Sequence, residues 1–140
     1  MIAPYEGAHI RVQIQSIYHH GIYIGNDEVV QFGLPFDMFR PKEEVKVLKS
    51  NIEEFLQGGF LEVRVFDRKE RKQKNDDRKI IEIALSKLGE GGYDIVHNNC
   101  EHFANFCVFN KKDETQSLNF FYLFFLLQNH NTKDIFICQL

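Results

Sequence analysis

Apolar and polar residues alternate near the start of the chain. Residues 8–15 carry apolar side chains at every second position, and 17–25 is rich in β-branched and aromatic residues. The turn signal Gly25-Asn26-Asp27 separates this segment from 28–32, where the apolar pattern resumes. A period of two is typical of a strand, and turn residues between two such runs are typical of a hairpin. We therefore predict a strand over 8–15, followed by a hairpin made from the other two segments.

The middle of the chain mixes helix and strand signals. Ser50, with Glu53 three residues later, matches a helix N-cap, and this short helix should end near Gly58-Gly59. Residues 60–66 alternate again and predict another strand. The charged run 68–79 is typical of a solvated loop leading into a helix.

The second half of the chain switches to a helical period. Residues 80–88 have helical apolar spacing, and the glycines that follow end this helix. Residues 100–109 repeat the helical pattern, with Asn99 as a good N-cap. These elements predict one α+β domain, in which the strands come first and a helix beginning at Cys100 comes later.

Composition narrows the class of protein. The chain has 140 residues, a net charge of −3 and only three cysteines. A domain of this size can bury a core without disulfides, and the acidic balance argues against a nucleic-acid partner. The odd cysteine number and the lack of a secretory signal pattern at the start favour a reducing, cytoplasmic setting with free thiols.

One apolar run, 118–127, is unusually rich in phenylalanine and leucine. It is too short to cross a bilayer as a helix, which needs about 20 apolar residues. Burial in the protein and contact with a membrane surface both remain open for it, and the sequence leaves the oligomeric state open.

Cys100 is the strongest candidate for chemistry. It falls at the first turn of the predicted helix, where free backbone N–H groups and the helix dipole favour an anion. We therefore expect its thiol to have a lowered pKa and to act as a nucleophile. Cys107 lies two turns further along the same face, where core packing is the better interpretation, and Cys138 has no partner pattern.

Histidine is the expected general base. His19 and His20 lie in the middle of a predicted strand and point to opposite faces, so only one of them can serve a given site. His102 is two positions from Cys100 on the helix, where the two side chains do not face each other. The spacing of these histidines and cysteines matches no common zinc motif, so we predict no metal and no cofactor.

Residues 99–103 (NCEHF) resemble the nucleophile motif of the lecithin:retinol acyltransferase family, which belongs to the circularly permuted, NlpC-type, papain-like cysteine enzymes. Residues 19–25 (HHGIYIG) are similar to the family's H-x-x-I/V-Y-x-G strand, and 7–10 (GAHI) to its opening G-D-x-I. Residues 88–93 are similar to its L-G-x-x-x-Y segment. The resemblance extends from about residue 4 to about residue 117 in order and spacing.

The resemblance implies a permuted papain-like fold, with an antiparallel sheet and the nucleophile at the N-terminus of a packed helix. It places the nucleophile at Cys100, the base at His19 and the orienting polar residue at Gln31. The family usually has histidine at this last position, so Gln31 is a departure. For the oxyanion we expect the backbone N–H of Cys100, with Asn99 or Tyr18 as a second donor.

The resemblance also implies transfer of acyl chains from glycerophospholipids, through a Cys100 thioester, to water, an amine or an alcohol. Phe32, Leu34 and Phe36 are the expected substrate-binding residues, since they form an apolar loop after the hairpin. We take 1–117 as the catalytic domain and 118–140 as a hydrophobic segment that packs or contacts a membrane. Two alternatives stay open: a cysteine peptidase or amidase, and a non-catalytic binding module.

Overall fold

The computed structural model describes residues 3–37, 40–94, 99–110 and 134–139. They form one antiparallel sheet of six strands in the order β4-β3-β2-β1-β5-β6. The elements are, in chain order, β1 (His9–Ile14), β2 (Ile17–Gly25), β3 (Glu28–Phe32), β4 (Val47–Asn51), α1 (Ile52–Leu56), β5 (Leu61–Val65), α2 (Arg68–Gln73), α3 (Asp77–Ser86), α4 (Cys100–Phe109) and β6 (Ile135–Gln139). An antiparallel sheet combined with helices confirms the predicted α+β class.

The sheet is covered on both faces, and the alternation of the strands decides which residue meets which helix. One face carries Ile22 and Val30, which pair across β2 and β3 and pack in the same core as Phe103 of α4. The opposite face carries Ile10, which packs in a second core with Phe55 of α1. Because neighbours along a strand point to opposite faces, successive residues of β2 belong to different cores.

The predicted hairpin and the helix at Cys100 are confirmed, but the helix start at Ser50 is wrong. Val47–Asn51 forms β4, which pairs with β3 along its whole length, and Ser50 lies inside it. Asn51 is the N-cap of α1, since its side chain accepts the backbone N–H of Glu54 at 2.8 Å. Pairing with β3 satisfies the backbone hydrogen-bonding groups of this segment, although its own pattern of apolar and polar residues was too weak to predict a strand.

The charged run is more ordered than expected. It forms α2 and the start of α3, which are capped by Asp67 and Asp76 respectively. Most of its charges are exposed, but Glu70 is 5% exposed and forms a buried ion pair with Arg64 of β5 at 2.8 Å.

Residues 135–139 form β6, which pairs with β5 at one edge of the sheet. The apolar run 118–127 lies outside the described residues, so the division of the chain at residue 117 stays a prediction. No helix in the described part of the chain is long and apolar enough to cross a membrane.

Candidate active site

A gap between two strands creates the site. The pairing of β2 with β3 ends at Gly21 and Gln31, although β3 continues to pair with β4 as far as Phe32. The backbone N–H of His20 therefore has no partner opposite it in the β2–β3 ladder, and it acts on the nearby Cys100 thiol, where it favours a lower pKa. The thiol thus lies at the point where the two strands separate.

The N-terminus of α4 brings Cys100 to this gap. Asn99 caps the helix, and its side-chain oxygen accepts the backbone N–H groups of Glu101 and His102 at 3.0 and 3.1 Å. His102 returns a contact from Nδ1 to the backbone N–H of Asn99 at 3.4 Å, which completes a capping box. These contacts fix the first turn, and Cys100 is its first helical residue, 9% exposed.

Cys100 and His19 line the same cavity, which has a volume of about 180 Å³. Its wall is largely apolar and aromatic. It comes from the start of β2, the end of β3 with the loop that follows it, the segment after α3 that contains Tyr93, and the start of α4. The lining residues are Ile17, Tyr18, His19, Phe32, Leu34, Pro35, Asp37, Val45, Tyr93, Asn99, Cys100 and Glu101.

Buried hydrogen bonds hold the imidazole of His19. Its Nε2 lies 2.7 Å from Oε1 of Gln31, which is fully buried on β3. Gln31 Nε2 donates to the hydroxyl of Ser50 on β4, and this hydroxyl donates to the carbonyl of Asn51 at 3.1 Å. Gln31 was expected beside His19. The contribution of Ser50 was missed because its sequence context matched a helix cap.

His20 belongs to a separate network, on the face of the sheet opposite to that of His19. Its Nδ1 lies 2.9 Å from Nε2 of His9, and His9 Nδ1 lies 3.2 Å from Nη1 of Arg64. Burial, together with the charge of Arg11 and other neighbours, lowers the pKa of His20 to about 3, so its ring stays neutral at neutral pH. His20 is not among the described residues that line the cavity.

The expectation of a lowered thiol pKa at Cys100 is wrong. Burial raises the pKa of the Cys100 thiol, and the opposing backbone hydrogen bonds, including that of His20, do not outweigh it. Burial also lowers the pKa of His19, although Gln31, the carboxylate of Asp37 and the backbone of Gly33 act in the opposite direction. Both shifts favour a neutral thiol beside a neutral imidazole in the free protein.

The remaining predicted site residues are placed differently. Tyr18 and Asn99 both line the cavity, but the Tyr18 ring also lies against the guanidinium of Arg11, 3.9 Å from its centre. Phe32 and Leu34 line the cavity as well. Phe36 is 47% exposed and is not among the described residues of the cavity wall.

Two carboxylates on the wall were not expected from the sequence. Asp37 accepts the backbone N–H of Leu34 at 2.8 Å, which holds the loop after β3, and its charge favours the protonated form of His19. Glu101 is the second carboxylate, and burial raises its pKa. Asp37 lies in no pattern that indicates chemistry, and the NCEHF motif that contains Glu101 gave this carboxylate no role. In the described residues, no three side chains of the metal-ligating types are grouped so as to hold an ion.

Comparison with known proteins gives two findings. The chain is 24% identical over 144 residues to the mouse (Mus musculus) protein "Lecithin retinol acyltransferase". This match covers 84% of the chain and 62% of the mouse protein, so the chain spans less than two thirds of that relative's length. The sequence model described as "Lecithin retinol acyltransferase" matches residues 3–113, which is most of the chain. The protein therefore belongs to the lecithin retinol acyltransferase family.

Proposed function

We propose that this protein is a cysteine-dependent lipid acyltransferase or hydrolase that forms a thioester on Cys100. The observation that carries the proposal is the cavity shared by Cys100 and His19, with His19 hydrogen-bonded to buried Gln31. Family membership supports acyl transfer as the reaction, and the name of the mouse relative supports a lipid substrate. The permuted papain-like arrangement is part of the same proposal.

The first half of the reaction makes the thioester. The His19 nitrogen that does not contact Gln31 takes the thiol proton as the Cys100 sulfur attacks an ester carbonyl of the phospholipid. The backbone N–H groups of Cys100 and His20, which favour the ionised form of the nearby sulfur, are the proposed donors to the negative oxygen. The ester C–O bond then breaks, and protonated His19 returns the proton to the departing lysophospholipid oxygen.

The second half releases the acyl chain. Water, or the amine or alcohol of an acceptor, loses a proton to His19 as it attacks the thioester carbonyl, and the thiol is regenerated. Because the pKa shifts favour the neutral pair, the proton moves during the attack and not before substrate binds. The apolar part of the cavity wall, including Phe32 and Leu34, suits the start of an acyl chain.

Mass spectrometry of the intact protein tests the proposal. After incubation with phosphatidylcholine vesicles, we expect one acyl adduct and release of lysophospholipid. Cys100→Ala should abolish both, whereas the matched control Cys138→Ser, at an exposed thiol on β6, should change neither. Lysophospholipid release that persists in Cys100→Ala would contradict the proposal. Cys100-dependent cleavage of an amide with no lipid product would favour a peptidase or amidase.

A further inference from the structure

The hydrogen bonds behind His19 end at a backbone carbonyl. His19 contacts Gln31 at 2.7 Å, Gln31 donates to Ser50, and Ser50 donates to the carbonyl of Asn51 at 3.1 Å. The residues come from three adjacent strands, and both Gln31 and Ser50 are buried. These hydrogen bonds are held rigidly, because the backbone of each residue is already paired with a neighbouring strand of the sheet.

The carbonyl of Asn51 determines which group donates and which accepts in each hydrogen bond of this series. A carbonyl can only accept, so the single hydroxyl proton of Ser50 must go to Asn51. The Ser50 oxygen then accepts from Gln31, which must present its NH₂ group to Ser50 and its carbonyl to His19. His19 must therefore carry its proton on Nε2, which leaves Nδ1 as the nitrogen that can accept a proton.

Rotation of the Gln31 side-chain amide would disrupt this arrangement of donors and acceptors. If Gln31 turned by half a turn, its carbonyl would face a Ser50 oxygen whose proton is already given to Asn51, and one hydrogen bond would be lost. Loss of one hydrogen bond disfavours the rotated form by about fivefold to tenfold. The rotated form would donate to His19 Nε2 and place the imidazole proton on Nδ1, where the ring could no longer accept the thiol proton.

We infer that Ser50 is a positioning residue, which orients the Gln31 amide and through it holds His19 in the tautomer that can act as a base. The inference rests on the proposed function only for the role of the tautomer in turnover. The tautomer itself can be measured in the free protein without substrate.

A pair of variants isolates the hydroxyl. Ser50→Val and Ser50→Thr place side chains of nearly the same shape on β4, where β-branched residues fit well, but only threonine keeps the hydroxyl. Ser86→Ala is the control for loss of a serine hydroxyl elsewhere, because Ser86 donates to the carbonyl of Ile83 at 2.7 Å at the end of α3, outside the cavity wall.

The first measurement is the His19 tautomer, from the ¹⁵N NMR signals of the imidazole in the complete chain. We expect the Nε2–H form in the unmodified protein, in Ser50→Thr and in Ser86→Ala. Ser50→Val should show a mixture with the Nδ1–H form. The same tautomer in the valine and threonine variants would overturn the inference.

The second measurement is turnover of phosphatidylcholine. Ser50→Val should lower kcat by about twofold, with KM unchanged, relative to Ser50→Thr, because the fraction of His19 in the active tautomer falls from about nine-tenths to about one half. In a Gln31→Ala background the two Ser50 variants should turn over equally, because Ser50 acts only through the amide. An equal loss in both backgrounds would show that Ser50 matters for packing alone and would refute its positioning role.

The two proposals fail in different ways. If the unmodified protein shows no Cys100-dependent turnover, the proposed function is wrong, while the NMR comparison still decides whether Ser50 sets the tautomer. If turnover depends on Cys100 but the valine and threonine variants match in both measurements, the function stands and the role of Ser50 is refuted.

Discussion

Removing the Arg64 side chain should destabilise the fold strongly. Arg64 is 3% exposed, and its Nη2 donates to Glu70 at 2.8 Å and to Asp134 at 3.0 Å. Its Nη1 donates to Asn105 of α4 at 2.6 Å and lies 3.2 Å from His9. One guanidinium on β5 therefore contacts α2, α4, the neighbouring strand β1 and the residue before β6.

The loss of stability follows from the buried carboxylate that is left without its cation. Arg64→Met keeps much of the apolar stem but leaves the Glu70 carboxylate, 7% exposed on its side chain, without its cation. Breaking a buried ion pair on one side costs about 3–5 kcal/mol. For a domain of this size, such a loss lowers Tm by about 10–20 °C. Adding Glu70→Gln should recover about 2 kcal/mol, since the unpaired charge is removed and the amide oxygen can still cap α2.

Urea unfolding, followed by circular dichroism at constant pH, measures these differences. The matched control is Arg78→Met, because Arg78 and Glu82 form an exposed pair at 4.0 Å, with 92% and 59% of their side chains exposed. Its loss should change the free energy of unfolding by less than about 0.5 kcal/mol. Two results would refute the role of Arg64 as the cation of a buried ion pair. One is a loss of unfolding free energy in Arg64→Met no larger than that in Arg78→Met, and the other is no recovery of stability when Glu70→Gln is added.

Four predictions concern the site. Gln31→Ala should lower kcat for lysophospholipid release by about 10- to 100-fold through lost orientation of the base, and unchanged kcat would contradict this role. His19→Ala should nearly abolish release while His20→Ala costs less, and the reverse order would place the base on the other face of the sheet. In a Cys138→Ser background, alkylation of Cys100 by iodoacetamide should keep rising above the ordinary thiol pKa of about 8.5, because burial raises the pKa of this thiol. Turnover should decline only below the ordinary histidine pKa of about 6.5, because the lowered pKa keeps His19 neutral down to that range. A plateau in alkylation near pH 7 would instead indicate a preformed ion pair.

Local signals determined much of the fold. The alternation in 8–15, 17–25 and 28–32 and the turn at Asn26-Asp27 define β1, β2 and β3, because period and turn chemistry are properties of short segments. Asn99 marks the start of α4 for the same reason, since its side chain satisfies N–H groups only two and three residues away. The family motifs around His19 and Cys100 were equally visible.

Only the tertiary structure decided how these pieces act together. Val47–Asn51 becomes a strand because β3 offers a partner, and this pairing brings Ser50 to Gln31, a contact between residues 19 positions apart. The pKa of Cys100 is raised because the surrounding chain removes water from the thiol, an effect that outweighs the helix N-terminus on which the sequence-based expectation relied. Pairing partners and solvent exclusion are set by distant segments. A local pattern could therefore indicate Cys100 and His19 as candidates, but not their protonation states or the residues that hydrogen-bond to them.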